Sequence, residues 1–139
     1  MESSNVAQSD SAKMLKVILV IAGVVEFVYG ISFLLYPGML VRMSAGPAPE
    51  YSWLRWSGGI LLALAYGTFR VFRNPARQEI YVTTSIWVCL LNAIGLLISI
   101  LAREFTGATW FIVVPMVLTF LLAILLWWGR QKAKAILQG

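Results

Sequence analysis

The chain has 139 residues, 60% of them hydrophobic and only 12% charged, with a mean hydropathy of +0.81. Its 11 Lys and Arg and 6 Asp and Glu cannot cover the surface of a water-soluble domain of this size, so a bilayer must solvate part of it. There is no His and a single Cys, which removes imidazole ligation of haem or zinc, Ser-His and Cys-His catalysis, a CxxC redox pair and an internal disulfide.

In chain order, Met1 to Ala12 is polar and Ser-rich, without an apolar period or a basic start, and reads as a disordered tail rather than a signal peptide. Val17 to Tyr36 is a 20-residue apolar run broken only by Glu26, about 30 Å as a helix and enough to cross hydrocarbon. Pro37-Gly38 ends it. Gly38 to Tyr51, with Arg42, Gly46, Pro47, Pro49 and Glu50, is expected to be a turn-rich loop with one surface helical turn at Met39 to Met43. The second span has the shortest uncharged run, the 14 residues from Trp56 to Phe69, so it must start near Ser52 and carry Arg55 one turn inside. Asn74-Pro75 is expected to cap and open the third helix. Ile80 to Ala102 and Phe105 to Gly129 are uncharged runs of 23 and 25 residues, separated only by Arg103-Glu104.

These runs predict an all-α integral membrane four-helix bundle with up-down topology, occupying residues 13–130, with helices over about 14–36, 52–72, 76–102 and 105–129. Residues 131–139 are expected to form a short basic tail that continues helically for about two turns, its charges near the headgroups.

Lys13, Lys16, Arg70, Arg73, Arg77, Arg130, Lys132 and Lys134 make 8 basic residues on one side of such a bundle, against Arg42, Arg55 and Arg103, which make 3, on the other. The positive-inside rule then puts both termini in the cytoplasm, in an inner (cytoplasmic) membrane. Tyr36, Tyr51, Trp53, Trp56 and Trp110 fall at the outer boundary, and Tyr81, Trp127 and Trp128 at the inner one. The bilayer is the expected partner, anionic lipid above all. Other membrane subunits or a second copy are also compatible, whereas a nucleic-acid partner is not, because no basic patch lies outside a membrane flank.

Glu26 is the residue that most needs an explanation, since an ionised side chain there costs about 2.5 to 3.5 kcal/mol on insertion scales. Gly23, Tyr29 and Gly30 share its helical face, which lets a neighbouring helix approach the carboxyl. Three partners are open: Arg55, whose guanidinium reaches inward from the outer end of the second span; Asn92, halfway along the third; and Tyr29, one turn along the same helix. Asn92 shares a stripe with Ser85, Cys89, Gly95 and Ser99 that should face protein. A structural clasp and a functional carboxylate both fit. In the second helix Gly59, Ala63 and Gly67 recur every four residues and are expected to pack against another helix, in the same chain or a second copy. Pro115 with Thr119 should kink the fourth helix. Cys89 reads as a small packing residue, and Trp127-Trp128 as an interfacial anchor.

The run Val24-Glu-Phe-Val-Tyr-Gly-Ile-Ser-Phe-Leu-Leu-Tyr-Pro-Gly38, the run Leu54-Arg-Trp-Ser-Gly-Gly-Ile-Leu-Leu-Ala-Leu-Ala-Tyr-Gly67 and the Arg-Asn-Pro-Ala-Arg turn after it resemble the DoxX-like small four-helix membrane proteins of bacteria. The resemblance spans the first two helices. It implies an up-down four-helix bundle and directs attention to Glu26, Gly30, Pro37, Arg55, Gly58 and Gly59, with no assigned activity. A second resemblance, to the small multidrug resistance transporters, rests on four short helices with an acid in the first. It implies that Glu26 exchanges a proton for a cationic substrate among Tyr29, Trp56 and Tyr66. The 8-to-3 charge bias, the long Pro-rich first outer loop and the proximity expected of Arg55 oppose it. The expected function is therefore a non-catalytic accessory, scaffold or lipid-interacting subunit, with no cofactor or metal and no enzymatic constellation around Glu26, and with proton-coupled transport as the alternative.

Overall fold

The computed structural model describes residues 2–46, 51–104 and 106–138. Among them all regular structure is helical: α1 (Glu2–Leu35), α2 (Pro37–Ser44), α3 (Tyr51–Arg73), α4 (Glu79–Leu101), α5 (Trp110–Lys132) and α6 (Lys134–Gln138). Three helical segments are long and apolar enough to cross a membrane, Asp10–Leu35, Glu79–Leu101 and Trp110–Lys132. That is three, where four were expected. At 23 residues α3 is as long as α4 and α5, but Ser52, Arg55, Ser57, Gly58, Gly59, Thr68 and Arg70 lower its apolarity.

Helix α1 starts at Glu2, within the segment expected to be a tail. Once the apolar part has paid for nucleation, each further residue gains a hydrogen bond, and the helix propagates backward through Ser, Ala and Gln. At its other end Pro37 restricts Tyr36, which sits at φ −121° and ψ 38°, and the same Pro opens α2, where a missing N–H costs nothing. The expected single turn at Met39 to Met43 is thus a two-turn helix, stopped by Ala45 in the left-handed region at φ 52°. Pro47, Pro49 and Glu50 of the expected loop lie outside the described residues.

Asn74-Pro75 does not open α4. Pro75 is buried in the turn and Arg77 adopts a left-handed φ of 60°, so the helix begins only at Glu79. Arg103, at φ 56°, likewise ends α4, and α5 begins at Trp110. The expected start of the last span at Phe105 lies outside the described residues.

The helices assemble as two hairpins. Contacts of α1 with α3 run from Gly23 against Thr68 and Phe69, through Gly30 against Leu62, to Leu34 against Gly58. Numbers rise on one helix as they fall on the other, so the pair is antiparallel. Helix α4 packs along α5. The hairpins join where Leu15 and Ile18 of α1 reach Gly129 of α5, whereas α3 and α4 meet only narrowly. Leu15, Leu19, Val82, Leu126 and Leu137, each at most 1% exposed, belong to one buried cluster, toward the end that carries the chain termini. At the opposite end the buried Ser44 of α2 accepts a 2.6 Å hydrogen bond from the Ala108 N–H.

The C-terminal segment is helical and packs against the rest of the chain. Ala133 and Leu137 are buried, and Glu79 accepts from Arg130 at 2.5 Å and from Gln138 at 2.8 Å. An acid at the start of α4 favours its dipole and here also fastens α6.

The small residues of α3 divide between two faces. A Cβ at Gly58 would lie 2.7 Å from the Leu34 backbone N and 2.8 Å from the Gly30 carbonyl oxygen, whereas one at Gly59 meets nothing within 4 Å. Gly58→Ala should therefore lower unfolding stability in detergent by about 1 to 3 kcal/mol, and Gly59→Ala should leave it unchanged or raise it by up to about 1 kcal/mol. Equal losses from both substitutions in an equilibrium unfolding titration would contradict this packing.

Candidate functional site

Glu26 lies on the inward face of α1 between Ala22 and Gly30, where small residues let α3 approach. Only 8% of its surface is exposed. Its Oε2 lies 2.8 Å from the Thr68 hydroxyl, which donates to it. Thr68 Oγ1 lies 3.1 Å from the Tyr81 hydroxyl, and Tyr81 donates to the Leu64 carbonyl at 2.6 Å. Three helices thus meet in one file of oxygens: α1 supplies the acid, α3 a hydroxyl and a carbonyl, and α4 the phenol that spans the seam.

Each member is held locally. Thr68 is 1% exposed and shares its α3 face with Gly58 and Ala65, both buried against α1. Tyr81 fits because Gly67 has no side chain, since a Cβ there would fall 2.5 Å from the Tyr81 ring and hydroxyl oxygen. Ser85, one turn further along α4, donates to the Tyr81 backbone carbonyl at 3.0 Å, a common resting place for a hydroxyl within a helix.

The partners expected for Glu26 are corrected by this arrangement. With Gly30 opposite Leu62, Glu26 stands level with residue 66, about 16 Å along the α3 axis from Arg55 at about 1.5 Å per residue. Arg55 is exposed, and among the described residues no hydrogen bond or ion pair joins it to Glu26. Asn92 is also exposed and does not bond to the carboxyl. Tyr29 is half-buried and packs edge to face on Phe33, with centroids 5.8 Å apart.

The other expected positions divide along the molecule. Gly23, Gly30 and Gly67 do sit at helix contacts. Gly59 and Ala63 are exposed and take no part in packing within the chain, because the side of α3 that meets α1 carries Gly58, Leu62 and Ala65 instead. On α4, Ser85 and Cys89 are buried whereas Asn92 and Gly95 are open, so the stripe faces protein along half its length. In α5 the Thr119 hydroxyl donates to the Pro115 and Met116 carbonyls at 2.9 and 3.1 Å, which satisfies the backbone around the proline. No group of three or more His, Cys, Asp or Glu among the described residues converges as metal ligands would.

Thr68 and Tyr81 are the members of the site that sequence reasoning missed. From sequence Tyr81 reads as a headgroup anchor, and Thr68 is one of three hydroxyls, with Ser57 and Tyr66, in the uncharged run from Trp56 to Phe69. An antiparallel register through the glycines of both spans is the signal that brings Thr68 to Glu26.

No family model matches the chain, and comparison with curated proteins and with solved structures likewise finds no match. The site therefore has to be read from its own geometry.

Removing one link should cost less than removing two separate interactions. Thr68→Val and Tyr81→Phe are each expected to lower stability in detergent by about 1 kcal/mol. The double variant should lose less than the sum of the two, because both act on one network. Additive losses in a double-mutant cycle would show that the contacts are independent.

Proposed function

We propose that the chain is a four-helix bundle of the cytoplasmic membrane in which α3 crosses beside α1, with both termini in the cytoplasm. Its role is that of a non-catalytic accessory, scaffold or lipid-interacting subunit. The Lys and Arg distribution of 8 against 3 supports the orientation. A span weaker in apolar residues is tolerated when one face is sealed against a neighbour, as Gly58, Leu62 and Ala65 are against α1. The DoxX-like resemblance of the first two helices is consistent with this reading.

The observation that carries it is the chain Glu26–Thr68–Tyr81–Leu64. The intramembrane acid is engaged in holding three helices together, and no Lys, Arg or second carboxylate among the described residues bonds to it to form an acid–base pair. Function then rests with surfaces. Trp53, Trp56, Tyr66, Ile80 and Leu101 are all more than 60% exposed and are available to lipid or to a neighbouring subunit.

Proton-coupled transport remains as a second reading because of one observation. Thr68 engages Oε2 of Glu26, not Oε1, and Arg55, expected to neutralise the acid, is remote.

Purification of the tagged chain from its native membrane in mild detergent separates the two. The accessory reading predicts a membrane subunit in fixed stoichiometry and, for the chain alone in proteoliposomes, no proton movement driven by lipophilic cations. Isolation of the chain without a partner, together with cation-driven proton flux that Glu26→Gln abolishes, would establish transport instead.

A further inference from the structure

The three contacts of the polar file require more protons than two hydroxyls supply. The Leu64 carbonyl can only accept, so the 2.6 Å contact takes the Tyr81 proton. The Thr68 proton can then go either to Glu26, across 2.8 Å, or to Tyr81, across 3.1 Å. If Glu26 is a carboxylate, one of the three oxygen pairs is left in contact without a proton between them. Turning Tyr81 toward Thr68 only moves the defect to Leu64. The neighbouring hydroxyl of Ser85, which bonds to the Tyr81 backbone carbonyl at 3.0 Å and also reaches the Tyr81 phenol, cannot fill it, because it lies outside all three pairs and puts no proton between Glu26, Thr68, Tyr81 and Leu64.

A carboxylic acid removes the deficit. A proton on Oε2 reverses the 2.8 Å contact that Thr68 would otherwise donate: Glu26 then donates to Thr68, Thr68 to Tyr81 and Tyr81 to Leu64, so that all three contacts are filled and run in one direction. Such a file is cooperative in an apolar interior. The groups around it offer no cation in exchange. Helix α3 presents the Thr68 hydroxyl while its Arg70 and Arg73 are exposed at the helix end; α4 presents Tyr81 and the buried Cys89; α5 has its Arg130 committed to Glu79; and α1 itself adds Tyr29.

We propose that Glu26 is a proton-binding site, occupied at neutral pH, and that its proton closes the seam between α3 and α4. The seam is narrow, and Tyr81 is the side chain of α4 that crosses it to reach Gly67, Thr68 and Leu64. Loss of the proton withdraws one of the three hydrogen bonds there, leaving like partial charges of oxygen in contact, and the hairpins part toward the end where Asn92 and Gly95 are already open. The inference rests on the polar file described above but not on either functional role.

Two measurements on the full chain in lipid bilayers test it. Infrared difference spectra of wild type against Glu26→Gln should show the carbonyl stretch of a neutral carboxylic acid at neutral pH, shifted in D2O, disappearing as the pH is raised. With Cys89 replaced by Ala, spin labels at the exposed Ile60 and Leu91 should report a distance that lengthens over the same pH range in wild type. In Glu26→Gln, whose amide donates to Thr68 without titrating, that distance should stay short. Carboxylate bands alone at neutral pH would overturn the proton assignment. Loss of the acid band without a change in distance would overturn the coupling to the seam. Unfolding of Glu26→Gln under conditions where wild type stays folded would count against both, since a neutral donor at this position is predicted to suffice.

Discussion

A carboxyl group in an apolar interior must be satisfied by protein, and the rest of this fold is arranged so that Glu26 is. Water is the usual acceptor and donor for an acid, and its loss costs far more than any single packing contact returns. The site answers with two hydroxyls and a backbone carbonyl drawn from two other helices. Gly23 and Gly30 flank the acid on α1, and Gly67 makes room for the Tyr81 ring. Each removes a Cβ that would hold the oxygens apart. Small residues here serve the polar file as much as they serve van der Waals contact.

The same constraint accounts for the uneven shape of the molecule. The hairpin of α1 with α3 is tight because Gly58 admits the backbone of α1 at Leu34, and the hairpin of α4 with α5 is tight along apolar surfaces. Between the hairpins, buried apolar residues gather at the end where Leu15, Leu126 and Leu137 meet, and α6 is pinned over that end by Glu79. Toward α2 the described residues show a backbone hydrogen bond from Ala108 to Ser44 linking the hairpins. A bundle closed at one end and open at the other keeps Glu26 at the boundary between the two regions.

Helix existence was legible from sequence because it follows from long apolar runs, and each of the four expected spans contains a helix. Termini were less legible. Arg77 and Arg103 adopt left-handed conformations that Gly or Asn would have announced, and the polar residues after Glu2 continue a helix that their own propensity would not start. Glu26 stood out as the only acid within an apolar run. Its partners did not, because depth alone ranks Arg55 and Asn92 as well as any other residue. Choosing Thr68 needs the register between α1 and α3, which Gly58 and Gly30 determine through contact with each other's helix. Likewise, the four-residue spacing of Gly59, Ala63 and Gly67 identifies a face of α3 without saying whether that face meets protein.

An acid engaged in this way fits the role proposed above, for which the exposed aromatic and aliphatic side chains of α3 and α4 supply surface. The central claim is that protein oxygens, and not acyl chains, surround the carboxyl of Glu26. Solid-state NMR of the labelled chain in lipid bilayers measures this directly through correlations from the Glu26 carboxyl carbon. The account predicts cross-peaks to the Thr68 side chain and to the Tyr81 ring. Cross-peaks to lipid methylenes, with none to Thr68 or Tyr81, would contradict it.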